Sequence, residues 1–279
     1  MSAQSIFRPD LFAGQVMLVS GGGTGIGRAI ALELSGLGAT VALCSRSLEH
    51  LQPTLAQIEA RGGQGLTLAC NIRDEEQVKA TVATVLEKYG RLDGLVNNAG
   101  GQFSSPAAKI SAKGWHAVIE TNLTGTFYMA RAAMENYMQA HGGTIVSIVA
   151  EMWRGFPNMA HTGAARAGVV NLTQTLALEW AQYNIRVNSV APGLINSSGL
   201  KTYPAEIQAG LQAVAKDIPA QRMGTESEVA AATTFLLSPT AAFISGETLK
   251  IDGAGSLYRL QGYVIPEHAA WPAFDLDGI

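Results

Sequence analysis

Charge is scarce in this chain. Only 15% of its 279 residues are Asp, Glu, Lys or Arg, and the formal net charge is −3. A nucleic-acid surface needs clustered Lys and Arg on a basic chain, so nucleic acid is not an expected partner. Cysteine is nearly absent: Cys44 and Cys70 are the two, with no CxxC partner and no metal-ligand spacing. That excludes a disulfide framework and leaves two small buried thiols in a reducing compartment as the expectation. The histidines form no HExxH or comparable pattern, and no metal is expected. No apolar run is long enough to span a bilayer. The N-terminal residues lack an apolar signal core, and the final Asp-Gly-Ile is not a peroxisomal Ser-Lys-Leu address. A cytoplasmic protein without a membrane partner is the expected setting.

What is plentiful is apolar side chain, 47%, and glycine, 31 residues. The first supplies a core and argues against disorder. The second suggests tight turns or a backbone that approaches a ligand closely. Short apolar runs at Val16–Ser20, Thr40–Cys44, Leu66–Cys70, Gly94–Val96, Thr144–Val149, Val187–Ala191 and Leu249–Ile251 read as strands, most of them buried on both faces. Between them, helical periodicity covers Ile26–Leu37, Leu48–Arg61, Glu75–Tyr89, Lys113–Gln139, Gly163–Tyr183 and Glu226–Leu237. This alternation predicts an α/β fold: a single Rossmann-like, doubly wound domain over residues 1–279, with a parallel sheet of about seven strands and helices on both faces. Residues 196–217 break the alternation and read either as a substrate flap or as a surface insertion, and residues 257–279 form an aromatic tail that packs on its own body or on a neighbour.

Strand Val16–Val19 runs into Ser20-Gly21-Gly22-Gly23-Thr24-Gly25-Ile26-Gly27 and then into a helix. Glycines at a first strand–helix junction let backbone N–H groups meet a pyrophosphate at the helix N-terminus, so Gly21, Gly23, Thr24, Gly25, Ile26 and Gly27 are candidate dinucleotide ligands. The second strand ends in Ser45-Arg46, where an NAD site usually places a carboxylate. A ribose 2′-phosphate meets no repulsion there and gains a guanidinium, which favours NADP(H). With Arg46 read instead as a solvated first-turn residue, the preference stays open.

These motifs, together with Asn97-Asn98-Ala99-Gly100, Asn122 in Glu120-Thr121-Asn122-Leu123 and Ala191-Pro192-Gly193-Leu194-Ile195, resemble the short-chain dehydrogenase/reductase family from Leu18 to Gly253. The resemblance implies that Asn98, Ala99 and Gly100 lie beside the adenosine ribose. It places Asn71 and Ile72 at the adenine, and Pro192, Gly193 and Ile195 at the nicotinamide. It also implies a homotetramer. The family's reactive Ser, Tyr and Lys are replaced. Arg166 takes the Lys position, Thr162 the Tyr position, and Ala150 or Val149 the Ser position; Asn122 alone is retained. Thr lacks the acidic hydroxyl of a phenol, and ordinary carbonyl reduction is not favoured.

Longer stretches, including Gly100-Gly101-Gln102-Phe103, His161–Val169 and Val264-Ile265-Pro266-Glu267-His268, resemble peroxisomal trans-2-enoyl-CoA reductases. That implies NADPH-dependent reduction of a double bond conjugated to an acyl thioester. Such a reaction needs a donor at the thioester oxygen more than a strong acid, and Thr162 is the candidate donor. Arg166 would hold the nicotinamide ribose, and Asn122 would order a helix kink and a water. Other candidates are His161 as an acid or a structural residue, Glu151 facing the substrate, Tyr203 as a donor from the flap, and Trp153 and Phe156 as an acyl slot or as packing. The alternatives are a dehydrogenase of an acyclic terpenoid alcohol or aldehyde, and a catalytically silent NADP(H)-binding protein.

Overall fold

The computed structural model describes residues 5–200, 205–258, 265 and 267–276. In chain order the elements are β1 (Val16–Ser20), α1 (Gly25–Gly36), β2 (Thr40–Ser45), α2 (Gln52–Ala60), β3 (Gln64–Ala69), α3 (Glu75–Tyr89), β4 (Gly94–Asn97), α4 (Ala112–Ile119), α5 (Gly125–Ala133), α6 (Gln139–His141), β5 (Gly143–Ile148), α7 (Ala160–Glu179), β6 (Ile185–Pro192), α8 (Ala205–Ala215), α9 (Glu226–Leu237) and β7 (Thr248–Ile251).

All seven strands are parallel, in the order β3-β2-β1-β4-β5-β6-β7. The two-residue period of a strand sorts the core into two layers. On β1, Met17 and Val19 join the cluster that holds Ile30 and Leu34 of α1 and Val229 and Leu236 of α9. Val16 and Leu18 join the opposite cluster, with Val78 and Val82 of α3, Met129 of α5 and Leu176 of α7. Apolar residues on both faces are what make these strands continuous hydrophobic runs in the sequence. The outermost strands depart from that rule: β3 and β7 are only partly buried. Met129 and Met138 are fully buried core residues and Met134 packs against them. Cys44 and Cys70 are buried and free.

Four helices differ from the sequence reading, and the first is α2, which begins at Gln52, four residues after the expected Leu48. The segment read as one helix from Lys113 to Gln139 is interrupted by π-turns at Glu120–Thr124 and Met134–Met138. Helix α7 begins at Ala160, three residues before the expected Gly163, so that His161 and Thr162 lie in its first turn. Helix α8 occupies part of the segment read as a flap; its mostly exposed, small-residue composition gave no periodic signal.

Residues 271–276 dock on their own chain, at the start of α9. Arg222 donates from Nε to the Trp271 carbonyl at 2.8 Å and from Nη2 to the Pro272 carbonyl at 2.9 Å. Its Nη1 reaches Glu228 Oε2 at 2.9 Å. Glu228 also closes a capping box with Thr225, and its Oε1 accepts the Phe274 N–H at 3.2 Å. Burial raises the Glu228 carboxyl, but the Arg222 guanidinium and the Thr225 and Phe274 amides outweigh it and hold the group below the usual carboxylate range. A carboxyl lowered by folding stabilises fully at neutral pH and loses that contribution as pH falls through its folded value. The clasp is therefore expected to hold from neutral pH through the usual carboxylate range and to open only as pH falls below it. In Arg222→Ala the amides of Trp271, Phe274 and Leu276 are expected to exchange hydrogen about tenfold faster, the loss of roughly one hydrogen bond to a charged group. Hydrogen-exchange mass spectrometry, corrected for intrinsic rates, checks both.

Candidate active site

The strand order reverses direction between β1 and β4, and the loops leaving these two strands diverge there. After β1 the chain turns through Gly21 (φ 67°) and Gly25 (φ 58°), a left-handed geometry that favours glycine. Gly23 has no room for a side chain: a Cβ there would lie 2.2 Å from the His50 carbonyl oxygen. Thr24 precedes α1 without a side-chain cap, and the first turn of α1 has no acidic residue. Neither a side-chain cap nor a first-turn carboxylate of its own meets its leading N–H groups and positive dipole end.

At the end of β2, Ser45 turns its hydroxyl to the Ser47 carbonyl at 2.6 Å, and Arg46 is exposed. The neighbouring strand delivers Asn71 and Ile72; the Cys70 N–H pairs with the Ser45 carbonyl at 2.8 Å. Ile72 is buried against Gly125, where any Cβ would come within 2.7 Å of it. The Cys44 thiol beneath these residues is pushed up by its hydrogen bond with Cys70 and by burial, and stays protonated.

The loop after β4 carries the centre of the site. Asn98 Nδ2 donates to the carbonyls of Ser20 and Gly21 at 3.1 and 3.0 Å. Gly100 lies so close to two side chains that a Cβ would sit 2.4 Å from Arg166 Nη2 and 2.7 Å from Asn122 Oδ1. Asn122, 1% exposed, accepts the Gly101 N–H at 3.2 Å and donates to the Gly101 carbonyl at 2.7 Å and the Val118 carbonyl at 2.9 Å. The π-turn that contains Asn122 leaves the Val118 carbonyl for its amide. From α7, Arg166 donates to the Ile148 carbonyl at 2.8 Å, at the end of β5. Burial lowers its guanidinium to about 10, which still leaves it cationic at neutral pH.

One turn earlier on α7, Thr162 is fully buried, its hydroxyl 3.3 Å from His161 Nδ1. His161 is fully buried too, with its ring edge-on to Phe103 at 4.5 Å between centroids. At the Ser position, Val149 and Ala150 supply no hydroxyl; Ser147, earlier on β5, is buried against Asn97. Glu151 pairs its N–H with the Pro192 carbonyl at 3.0 Å, and its Oε1 is buried without a partner among the described residues. Trp153 is exposed beneath Lys250 Nζ, 4.2 Å from the ring centroid, and Phe156 packs over Gly163. Tyr203 lies outside the described residues. Pro192 closes β6, the Gly193 N–H pairs with the Ile251 carbonyl at 2.9 Å, and Ile195 is buried. Behind this segment is a cavity of about 540 Å³ lined by Leu194, Ile218, Ile251, Trp271 and Phe274 among others. None of Asn122, His161, Thr162 or Arg166 lines it.

The sequence profile of a family described as enoyl-(acyl carrier protein) reductase matches residues 21–255. A probable 2,4-dienoyl-CoA reductase of Bacillus subtilis (strain 168) is 36% identical over 242 residues, covering 86% of this chain and 95% of that protein. The chain belongs to the short-chain dehydrogenase/reductase family. The peroxisomal 2,4-dienoyl-CoA reductase of Pongo abelii is 36% identical over 255 residues, 90% of this short-chain dehydrogenase/reductase and 87% of its own length. Among solved structures, a citronellol catabolism dehydrogenase of Pseudomonas aeruginosa PAO1 superposes with a TM-score of 0.82 at 49% identity, over 91% of this chain and 100% of that one. Levodione reductase superposes with a TM-score of 0.85 at 31% identity, over 89% and 100%.

Membership implies a nicotinamide dinucleotide. The uncapped N-terminus of α1 and the glycine-rich turn at Gly21–Gly25 fit its pyrophosphate, so these residues would hold it. The sequence reading missed the residues that join the site together. Ser20, whose hydroxyl bonds to the β4 loop, reads as an ordinary strand terminus. Glu226, whose Oε1 accepts the Ser198 N–H at 2.8 Å and so ties the post-β6 segment to α9, reads as a solvated first-turn carboxylate. In Gly23→Ala the new methyl meets fixed backbone, and dinucleotide affinity is expected to fall at least about tenfold. Cofactor fluorescence titration checks it.

Proposed function

We propose that this protein uses NADP(H) to reduce the carbon–carbon double bond of an enoyl thioester. The observation that carries the reading is the first turn of α7: a buried threonine stands four residues before Arg166, and no phenol is present there. Reducing a ketone leaves an alkoxide that must take a proton at once, which the family's Tyr position ordinarily serves. Adding hydride to the β-carbon of an enoyl thioester spreads the charge onto the thioester oxygen, and a hydrogen-bond donor suffices until water protonates the α-carbon. The names of the relatives from Bacillus subtilis and Pongo abelii, both dienoyl-CoA reductases, support the same class of substrate.

When bound, the nicotinamide supplies the hydride. Arg166 keeps a fixed positive charge at the centre of the site and holds the cofactor ribose, without itself exchanging a proton at neutral pH. Asn122 fixes the β4 loop at Gly101. The start of α7, at Thr162, faces the thioester oxygen. Arg46 binds the ribose 2′-phosphate, where no carboxylate repels it. A homotetramer is the expected assembly.

A second reading is favoured by one observation, the 49% identity to a citronellol catabolism dehydrogenase: oxidation of an acyclic terpenoid alcohol. Absorbance at the reduced-nicotinamide band separates the two. NADPH oxidation with trans-2-enoyl-CoA thioesters is the expected result. NADP⁺ reduction driven by a terpenoid alcohol would support the second reading, and cofactor binding without turnover on either panel would make the protein a silent binder. Arg46→Ala is expected to weaken NADPH about tenfold or more, the loss of one charge-assisted pair, and to leave NADH nearly unchanged. Equal losses for both cofactors would refute the 2′-phosphate assignment.

A further inference from the structure

We infer that His161, through Nε2–H, is the group that hydrogen-bonds the thioester oxygen, and that Thr162 positions it; this rests on the enoyl-thioester reading. The argument begins with which ring nitrogen carries the proton. His161 Nδ1 lies 2.8 Å from the backbone nitrogen of Thr162. A backbone N–H can only donate, so Nδ1 must be the acceptor and has no proton of its own. The proton of the neutral ring is therefore on Nε2. That nitrogen is buried and has no hydrogen-bond partner among the described residues.

A buried donor without a partner is costly, and such groups are rare in folded chains. The surroundings hold this one in place. The Thr162 hydroxyl is 3.3 Å from the same Nδ1, and Phe103 meets the ring edge-on. Phe103 is 41% exposed and belongs to the loop whose Gly100 touches Arg166 and Asn122. The Ser105 N–H pairs with the Asn158 carbonyl at 2.8 Å, which ties this loop to the approach to α7. His161 thus stands between the two elements that bound the site, five residues before Arg166 and next to the Thr162 position one turn before it. Movement of Phe103, the partly exposed partner of the ring, opens Nε2 to an entering carbonyl.

A neutral imidazole with its tautomer fixed from behind is a known way to polarise a carbonyl without giving up a proton. Hydride, which the reduced nicotinamide would supply, would add to the β-carbon; the Cα=Cβ pair would become the Cα–carbonyl double bond of the enolate, and the carbonyl pair would move onto the thioester oxygen. The Nε2–H bond to that oxygen strengthens as charge develops. A proton from water then completes the α-carbon, and the ring ends as it began. The Thr162 hydroxyl, which faces Nδ1, has the positioning role.

The test compares His161→Leu, His161→Gln and Thr162→Val with the wild type, using NADPH and trans-2-enoyl-CoA thioesters. His161→Leu is expected to lower kcat about 10²–10³-fold, as for loss of one oxyanion donor, with KM and NADPH affinity unchanged. Gln, whose amide can donate, is expected to recover part of that loss, and Thr162→Val to lose less than His161→Leu. Nitrogen-15 spectra of histidine-labelled wild type give a second readout. A single Nε2–H tautomer is expected for His161, shifting when a saturated acyl-CoA is added to the NADP⁺ complex. An active His161→Leu beside an inactive Thr162→Val, or an Nε2–H signal indifferent to the acyl-CoA, overturns the assignment and leaves the thioester reading standing. A wild type inert to every enoyl thioester overturns that reading, and the role of His161 falls with it.

Discussion

The hydroxyl of Ser20 donates to the Val96 carbonyl at 3.3 Å and accepts the amides of Asn98 and Ala99, each at 3.1 Å. Three bonds converge on one side chain at the end of β1, and they join the two loops that leave adjacent parallel strands. Asn98 returns the connection through the Ser20 and Gly21 carbonyls. The glycine turn and the β4 loop therefore move as one body. Through Gly100 and Gly101 that body meets Asn122 and Arg166, so a helix on one face of the sheet and the start of α1 on the other are indexed to the same residue.

The chemistry of the centre follows from what surrounds the one fixed charge. Arg166 is held by a main-chain carbonyl and has no carboxylate ion pair among the described residues, so none of these neutralises its charge. Its lowered proton affinity reflects desolvation, and a buried cation attracts negative charge that develops nearby. This arrangement suits a reaction that accumulates charge on an oxygen. It suits less well a reaction that must hand a proton along a chain of hydroxyls, since the positions that usually form such a chain carry Thr162 and either Val149 or Ala150.

The sheet was readable because buried strands leave unbroken apolar runs, and β1, α3 and α9 were placed with their observed limits. The glycine turn was equally plain, since its residues are contiguous. What escaped was either non-local or locally bland. Helix α8 has small residues and little burial, so there is no stripe to detect. The start of α7 was set too late because Gly163 reads as a helix boundary, whereas tertiary packing extends the helix back to Ala160. Thr162 was singled out by the family resemblance, which sets it at the Tyr position, but its orientation toward the neighbouring imidazole depends on the first-turn geometry, which a motif cannot convey. Ser20 matters through partners 76 to 79 positions away, and nothing near it in the chain announces them.

The two π-turns bear on how this chain lines up with others. Each accommodates one more residue than an α-turn does, so the path from Ala112 to His141 holds about two residues beyond what a regular helix of equal length would contain. A homologue that has lost either bulge would show a single-residue gap inside an apparently continuous helix. Such a gap would not be an alignment fault. Each bulge takes up its extra residue locally, so losing both together keeps the downstream side chains, including Met129 beyond the first bulge, on the face they hold here.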